Sequence, residues 1–116
     1  MSTSIIIPTM NEIIGIQHTL TKVDRNWAEE WIVIDNNSND GTPEKAKKMG
    51  FTVINQTGDG LGDAYRQAVK YASGENILFF SPDGNALPED IPKLIEKMKC
   101  VILGVEFVFR EHDDPG

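Results

Sequence analysis

The chain is 116 residues long, which allows one domain with one hydrophobic core, and its 40% apolar and 25% charged residues are typical of a soluble globular protein. Its 18 acidic and 11 basic side chains give a net charge of −7. Binding to nucleic acid is therefore not expected, because a protein neutralises phosphates with clustered Lys and Arg.

Strand and helix patterns alternate from the start of the chain. Ser4–Ile7 is a short apolar run that predicts a first strand, ended by Pro8. Glu12–Val23 then carries an apolar stripe with helical spacing. Trp31–Ile34 predicts a second strand.

The next helix has clear signals at both of its ends. Thr42 is a suitable N-cap and Pro43 suits the first helical position, so a helix is predicted from Thr42 to Met49. Gly50 closes it, and Phe51–Ile54 predicts a third strand.

The second half continues the alternation after an open loop formed by Gly58, Gly60 and Gly62. A helix, a strand, a further helix and a fifth strand are predicted, in that order, at Asp63–Ala72, Ile77–Phe80, Glu89–Met98 and Val101–Phe109.

Strands separated by helices of this length predict an α/β fold in three α/β/α layers, with a mostly parallel Rossmann-like sheet. Residues 1–109 are expected to form one domain, and the polar segment 110–116 a frayed tail. The single cysteine, Cys100, excludes an intrachain disulfide. With no signal peptide and no stretch of membrane-spanning length predicted, we expect a cytoplasmic protein.

Acidic side chains follow three of the predicted strands, at Glu12, Asp35, Asp40 and Asp83. Each has an ordinary explanation, because acids favour the first turn of a helix and Asn- or Gly-rich segments favour turns. The carboxyl ends of parallel strands, however, form the usual ligand site of such sheets. Acids gathered there repel one another unless a cation or a hydrogen-bonding ligand lies among them. A hard divalent ion completed by ligand phosphates and water would fit a site without a His or Cys cluster.

Four motifs in this order resemble those of the family-2 glycosyltransferases with the GT-A fold. Ile5–Glu12 is similar to their opening strand, and Ile32–Thr42 to their second, acidic motif. Gly60–Arg66 is similar to their glycine-rich loop, and Ser81–Asp83 stands at their Asp-x-Asp metal motif. Pro88–Leu94 looks most like the dolichyl-phosphate mannosyltransferase-like members.

The resemblance implies a domain that binds a nucleotide-diphosphate sugar, linked to UDP or GDP, with Mg²⁺ or Mn²⁺. It also implies inverting transfer of a hexose to an acceptor such as a polyprenyl phosphate, and membrane association of a longer form. Asp83 would hold the metal, Asp35 would contact the base or ribose, and Arg66 would shape the donor site unless it is only an ion-paired helix residue. The residues carried over to the nucleotide-sugar site are Pro8, Thr9, Glu12, Asp35, Asn37, Gly60, Arg66, Ser81 and Asp83.

Three positions depart from the family pattern. Ser81 replaces the first acid of the metal motif, Asn36 stands where a second acid is frequent, and Asp59 stands where a Lys often precedes the glycines. Complete members also continue further, and their later part supplies the acceptor pocket and the general base. We therefore expect a truncated donor-binding part in which the catalytic residues are not identified.

Two other functions are compatible with the same sequence. An apolar last strand, Val101–Phe109, could pair with another chain, which would make the protein a non-catalytic interaction module and a homo-oligomer. A receiver-like signalling domain is less well supported, because the acid pair after the first strand and the Lys after the fifth are missing.

Overall fold

A computed structural model of the protein describes residues 2–58, 60–82 and 87–100. The strands in these ranges are β1 (Thr3–Thr9), β2 (Glu30–Asp35), β3 (Thr52–Asn55) and β4 (Asn76–Phe79). The α-helices are α1 (Ile13–Thr19), α2 (Thr42–Lys48), α3 (Gly60–Tyr71) and α4 (Asp90–Cys100). Two 3₁₀ turns, Leu20–Lys22 and Arg25–Trp27, lie between α1 and β2. The predicted fifth strand, Val101–Phe109, and the predicted tail, 110–116, lie outside the described residues.

The four strands form one sheet in the order β3-β2-β1-β4, and every neighbouring pair is parallel. The chain therefore moves outward from β1 to β3 on one side, and then crosses back to place β4 on the other side of β1. This reversal puts a topological switch point between β1 and β4. The predicted α/β fold with a parallel sheet is confirmed.

Alternating apolar side chains of the strands form one core on each face of the sheet. The core shared with α1, α2 and α4 includes Ile5, Ile7, Ile16, Val33, Ala46, Leu78 and Ile91. The core shared with α3 includes Ile6, Ile32, Ile34, Ala64, Ala68 and Ile77. The layers are thus three helices, the sheet and one helix.

The first strand is longer than predicted, because Pro8 does not end it. β1 continues through Pro8 to Thr9 by pairing with β2. On its other side the pairing with β4 stops at Ile6 and Phe79. The next backbone donor toward β4 would come from residue 8, and proline has no N–H to give. Proline therefore ends the contact with one neighbour only, and the sheet opens between β1 and β4 at its carboxyl edge.

Two helix starts also differ from the prediction. The N-cap of α2 is Gly41 rather than Thr42, with a φ of 92° that glycine adopts at no steric cost. Gly60 and Gly62 lie in the first turn of α3 rather than in an open loop. The Gln56 amide donates to the Gly60 carbonyl oxygen at 2.8 Å, so a side chain from the end of β3 holds this helix start.

Candidate donor-binding site

A cleft of about 250 Å³ lies over the carboxyl ends of the strands and the start of α3. Its walls come from the segments that follow all four strands, together with the first turns of α3. The lining residues are Pro8, Thr9, Met10, Glu12, Asn36, Gln56, Gly60, Leu61, Ala64 and Ser81. Ligands of open α/β sheets bind at this edge, next to the topological switch point.

The cleft brings together five of the residues predicted for the site, which are Pro8, Thr9, Glu12, Gly60 and Ser81. Five other lining residues were missed: Met10, Asn36, Gln56, Leu61 and Ala64. Gln56 could have been found, because it is the first residue after β3 and the strand-end rule applies to that strand as well. Met10 and Leu61 are large apolar residues that are more than half exposed, and each stands inside a motif already singled out.

Asp35 lies beneath the cleft and is not part of its lining. Its side chain is only 1% exposed. One carboxylate oxygen accepts hydrogen bonds from the Thr9 hydroxyl at 2.7 Å and the Ser38 hydroxyl at 2.6 Å, and the other accepts from the Ser38 N–H at 2.9 Å. In this arrangement Asp35 fixes Thr9 and the loop after β2. Its contact with a base or ribose stays a prediction.

The loops that follow β1 and β2 are tied to each other by backbone and side-chain hydrogen bonds. The Asn11 N–H donates to the Ser38 hydroxyl at 2.7 Å, and the Asn39 N–H donates to the Asn11 side-chain oxygen at 2.9 Å. Asn11 takes a left-handed conformation with a φ of 53°, which asparagine tolerates better than most residues. The segment from Thr9 to Glu12 is therefore held from the side of β2.

Asp40 and Thr42 fix the backbone of Glu12 at the start of α1. The buried Thr42 hydroxyl oxygen accepts from the Glu12 N–H at 3.0 Å, and Asp40 accepts from the Ile13 N–H at 3.0 Å. Asp40 also accepts from the N–H and the hydroxyl of Thr42. The hydrogen bond from that hydroxyl is the main reason why the pKa of Asp40 lies below its usual value; partial desolvation opposes the shift and the backbone N–H donors add to it. One carboxylate thus supports the starts of both α1 and α2.

Besides Asp35, two predicted site residues of the described structure, Asn37 and Arg66, are not part of the cleft lining. Asn37 is exposed on the loop after β2, and its amide donates to the Asn36 side-chain oxygen at 3.4 Å. Arg66 forms an ion pair with Asp63 one turn earlier in α3, and its side chain is 65% exposed. This pair matches the alternative stated for Arg66, an ion-paired helix residue.

The sequence matches the model of the family described as Glycosyl transferase family 2 over residues 4–107, which is most of the chain. This chain belongs to that family. The expected fold and family are confirmed by two independent comparisons, one with known sequences and one with solved structures.

Among related sequences, the dolichol-phosphate mannosyltransferase of Pyrococcus furiosus is 36% identical over 107 residues, which cover 85% of this chain and 30% of that protein. The glycosyltransferase AglJ of Haloferax volcanii is 32% identical over 95 residues, covering 81% of this chain and 31% of that protein. The chain spans about a third of the length of these relatives.

The fold superposes on solved structures of a GT-A enzyme, the glucosyl-3-phosphoglycerate synthase of Mycobacterium tuberculosis. Its complex with Mn²⁺, UDP and glucosyl-3-phosphoglycerate gives a TM-score of 0.71 at 25% identity, covering 84% of this chain and 39% of the enzyme. Its complex with Mn²⁺, UDP-glucose and phosphoglyceric acid gives a TM-score of 0.70 at 26% identity, with the same coverage.

A divalent metal at the cleft of this family-2 chain would need oxygen atoms as ligands. Asp83, the predicted metal ligand, lies outside the described residues. Within the described ranges there is no group of three or more His, Cys, Asp and Glu side chains that could hold a metal by themselves. Mg²⁺ and similar ions are usually held by one or two carboxylates, with ligand phosphates and water completing the shell. Oxygen donors from Glu12 and Ser81 in the lining are compatible with a site of that kind.

No helix among the described residues is both long and apolar enough to cross a membrane.

Proposed function

We propose that this chain is the donor-binding part of a glycosyltransferase, and that its cleft holds a nucleotide-diphosphate sugar together with Mg²⁺ or Mn²⁺. The observation that carries the proposal is the convergence of Pro8, Thr9, Glu12, Gly60 and Ser81 in one cleft at the carboxyl edge of the sheet. The complexes of glucosyl-3-phosphoglycerate synthase with Mn²⁺ or Mg²⁺ and UDP support it.

The cleft divides into parts suited to different parts of the ligand. The exposed apolar side chains of Met10 and Leu61 offer surface to a base or ribose. Glu12 and Ser81 offer oxygen atoms that can accept hydrogen bonds from sugar hydroxyls. Asp35 contributes indirectly, by keeping the Thr9 side chain in the cleft wall.

The metal would be held by Asp83 and by oxygens of the donor diphosphate. When bound, it supplies positive charge to the diphosphate as the sugar leaves. In the proposed reaction an acceptor oxygen attacks the anomeric carbon, the bond from that carbon to the diphosphate breaks, and the configuration inverts. A phosphate acceptor such as a polyprenyl phosphate is already ionised, so this attack requires no proton to be removed.

Isothermal titration calorimetry with UDP and GDP, each with Mn²⁺ and with EDTA, tests the proposal. We expect one of the two nucleotides to bind, and to bind more tightly when Mn²⁺ is present. Asp83→Asn should abolish the effect of the metal, whereas Glu44→Gln, a matched loss of one charge on the exposed surface of α2, should leave it unchanged. Absence of metal-dependent binding of both nucleotides would refute the proposal.

A gain of metal affinity provides a second test. Ser81→Asp restores an acid where the family pattern has one, and it should strengthen Mn²⁺-dependent nucleotide binding because a second carboxylate lowers the energy of the bound cation. Ser81→Asn is the control, because asparagine has nearly the same shape as aspartate but carries no charge. Equal affinities of the two variants would contradict the assignment of the metal to this segment.

A further inference from the structure

Gly15 of α1 lies very close to the backbone of Pro82, which follows β4. A Cβ atom added at Gly15 would lie 2.4 Å from the Pro82 carbonyl oxygen, about 1 Å closer than an ordinary contact, and 3.0 Å from a carboxylate oxygen of Glu12. The helix can approach this segment only because residue 15 has no side chain. The carbonyl concerned belongs to the peptide bond that links Pro82 to Asp83.

We propose that Gly15 is a positioning residue for the metal-dependent donor site: its lack of a side chain sets the place of the Pro82 carbonyl relative to Glu12. This inference rests on the proposed function. Nothing in the sequence patterns marks Gly15, which stands inside the apolar stripe of α1.

Both sides of the contact are held by the surrounding structure. α1 is fixed at its start by the hydrogen bond from Ile13 to Asp40, and in its middle by Ile16, which is fully buried. On the other side the Phe80 N–H donates to the Ile6 carbonyl at 2.9 Å, and Pro82 is buried. A side chain at position 15 therefore has to change the position of the Pro82 carbonyl or of the Glu12 carboxylate relative to α1.

The chain offers a matched control at the opposite edge of the sheet. A Cβ added at Gly74 would lie 2.6 Å from the hydroxyl oxygen and 2.7 Å from the backbone nitrogen of Ser4. Gly74→Ala therefore introduces a clash of similar severity into the same sheet. Gly74 precedes β4, so it lies at the amino edge, far from the cleft.

The test compares wild type, Gly15→Ala and Gly74→Ala by calorimetry, using whichever of UDP and GDP binds, with Mn²⁺ and with EDTA. Both variants should melt at a lower temperature than wild type. In Gly15→Ala the gain in affinity caused by Mn²⁺ should fall about tenfold or more, which is typical when a group that orients a metal ligand is altered. In Gly74→Ala the gain should equal that of wild type.

Gly15→Ala could prevent folding, and a second variant covers that case. Pro82→Gly adds no atom at the contact, so it should fold, but it gives the backbone of residue 82 more freedom and loosens the position of its carbonyl. The gain from Mn²⁺ should therefore also fall in Pro82→Gly, and a full gain in that variant would refute the positioning role.

The possible failures are distinguishable. If wild type shows no Mn²⁺-dependent binding, the proposed function itself is wrong. If wild type shows it and Gly15→Ala retains the full gain, or loses no more than Gly74→Ala, the function stands and the positioning role of Gly15 is refuted.

Discussion

Asp35→Asn is expected to destabilise the protein by about 2–4 kcal/mol, because the buried carboxylate accepts three hydrogen bonds. Asparagine keeps one oxygen for the hydroxyls of Thr9 and Ser38, but hydrogen bonds to a neutral acceptor are about half as strong as those to a charged one. Its amide group would also face the Ser38 N–H. That partly buried donor would be left without its acceptor, which adds to the cost; a fully buried donor left in this way costs about 1–3 kcal/mol.

Thr9→Val isolates one of the three bonds. Valine has nearly the shape of threonine and lacks the hydroxyl, so a loss of about 1–2 kcal/mol is expected from the hydrogen bond to Asp35. The side chains of Thr9 and Asp35 are in direct contact, so their effects should not add. The free energy of unfolding lost by the double variant Thr9→Val/Asp35→Asn should be about 0.5–3 kcal/mol smaller than the sum of the two single losses.

Urea denaturation followed by tryptophan fluorescence measures these changes, since the buried Trp31 lies on the same strand as Asp35. A free energy of unfolding for Asp35→Asn within about 0.5 kcal/mol of wild type would refute the reasoning, because that is the typical effect of a surface substitution. It would indicate that the carboxylate is free of these partners and available to a ligand.

Three further predictions concern residues that do not line the cleft. Gly62→Ala should stabilise the protein by up to about 1 kcal/mol, since a Cβ there meets nothing closer than 3.6 Å and alanine favours the helix. Arg25→Gln should cost about 0.5–1 kcal/mol, because the Arg25 guanidinium lies 4.3 Å from the ring centroid of Phe51. Glu30→Gln should cost stability at neutral pH but not in acid. Partial burial disfavours the charged form of Glu30. Hydrogen bonds from Ser73 and from the Ser4 hydroxyl outweigh this effect and lower the pKa of the carboxyl.

The sign for Glu30 follows from that lowered pKa. Its charged form stabilises the fold above the unfolded value of 4.5, and this contribution disappears as the pH falls through the lower pKa of the folded state. The melting temperatures of wild type and Glu30→Gln should therefore converge between pH 7 and about pH 3. A constant difference in melting temperature would contradict the lowered pKa of Glu30. A lower melting temperature of Gly62→Ala would contradict the free space at residue 62. An unchanged melting temperature of Arg25→Gln would contradict a stabilising contact between Arg25 and Phe51.

Much of the fold could be predicted because apolar runs and helical stripes are strong, local signals. Each described strand was placed within two residues of its observed bounds. The errors arose where a residue acts differently toward two neighbours or where tertiary contacts move a boundary. Pro8 was expected to end a strand, but its missing N–H affects only the side facing β4. Gly60 was expected in a loop, but the Gln56 amide holds it at the start of α3.

The candidate site was predicted in part, for a related reason. Motif residues next to strand ends, such as Thr9 and Ser81, lie in the cleft because topology alone brings strand ends together. The burial of Asp35 depends on donors from Thr9 and Ser38, whose orientation no sequence pattern specifies. The close approach at Gly15 depends on how tightly a helix packs on a neighbouring segment, so it was visible only in three dimensions.

The cleft is proposed to bind a nucleotide diphosphate through a divalent metal. The most direct measurement is the ¹⁵N–¹H NMR spectrum of the protein with UDP or GDP, with Mg²⁺ and then with paramagnetic Mn²⁺. We predict that Mn²⁺ broadens the amide signals of Ser81 and Thr9 beyond detection, while the signal of Gly74 at the opposite edge stays sharp. Equal broadening at both edges, or no broadening when nucleotide is present, would contradict it.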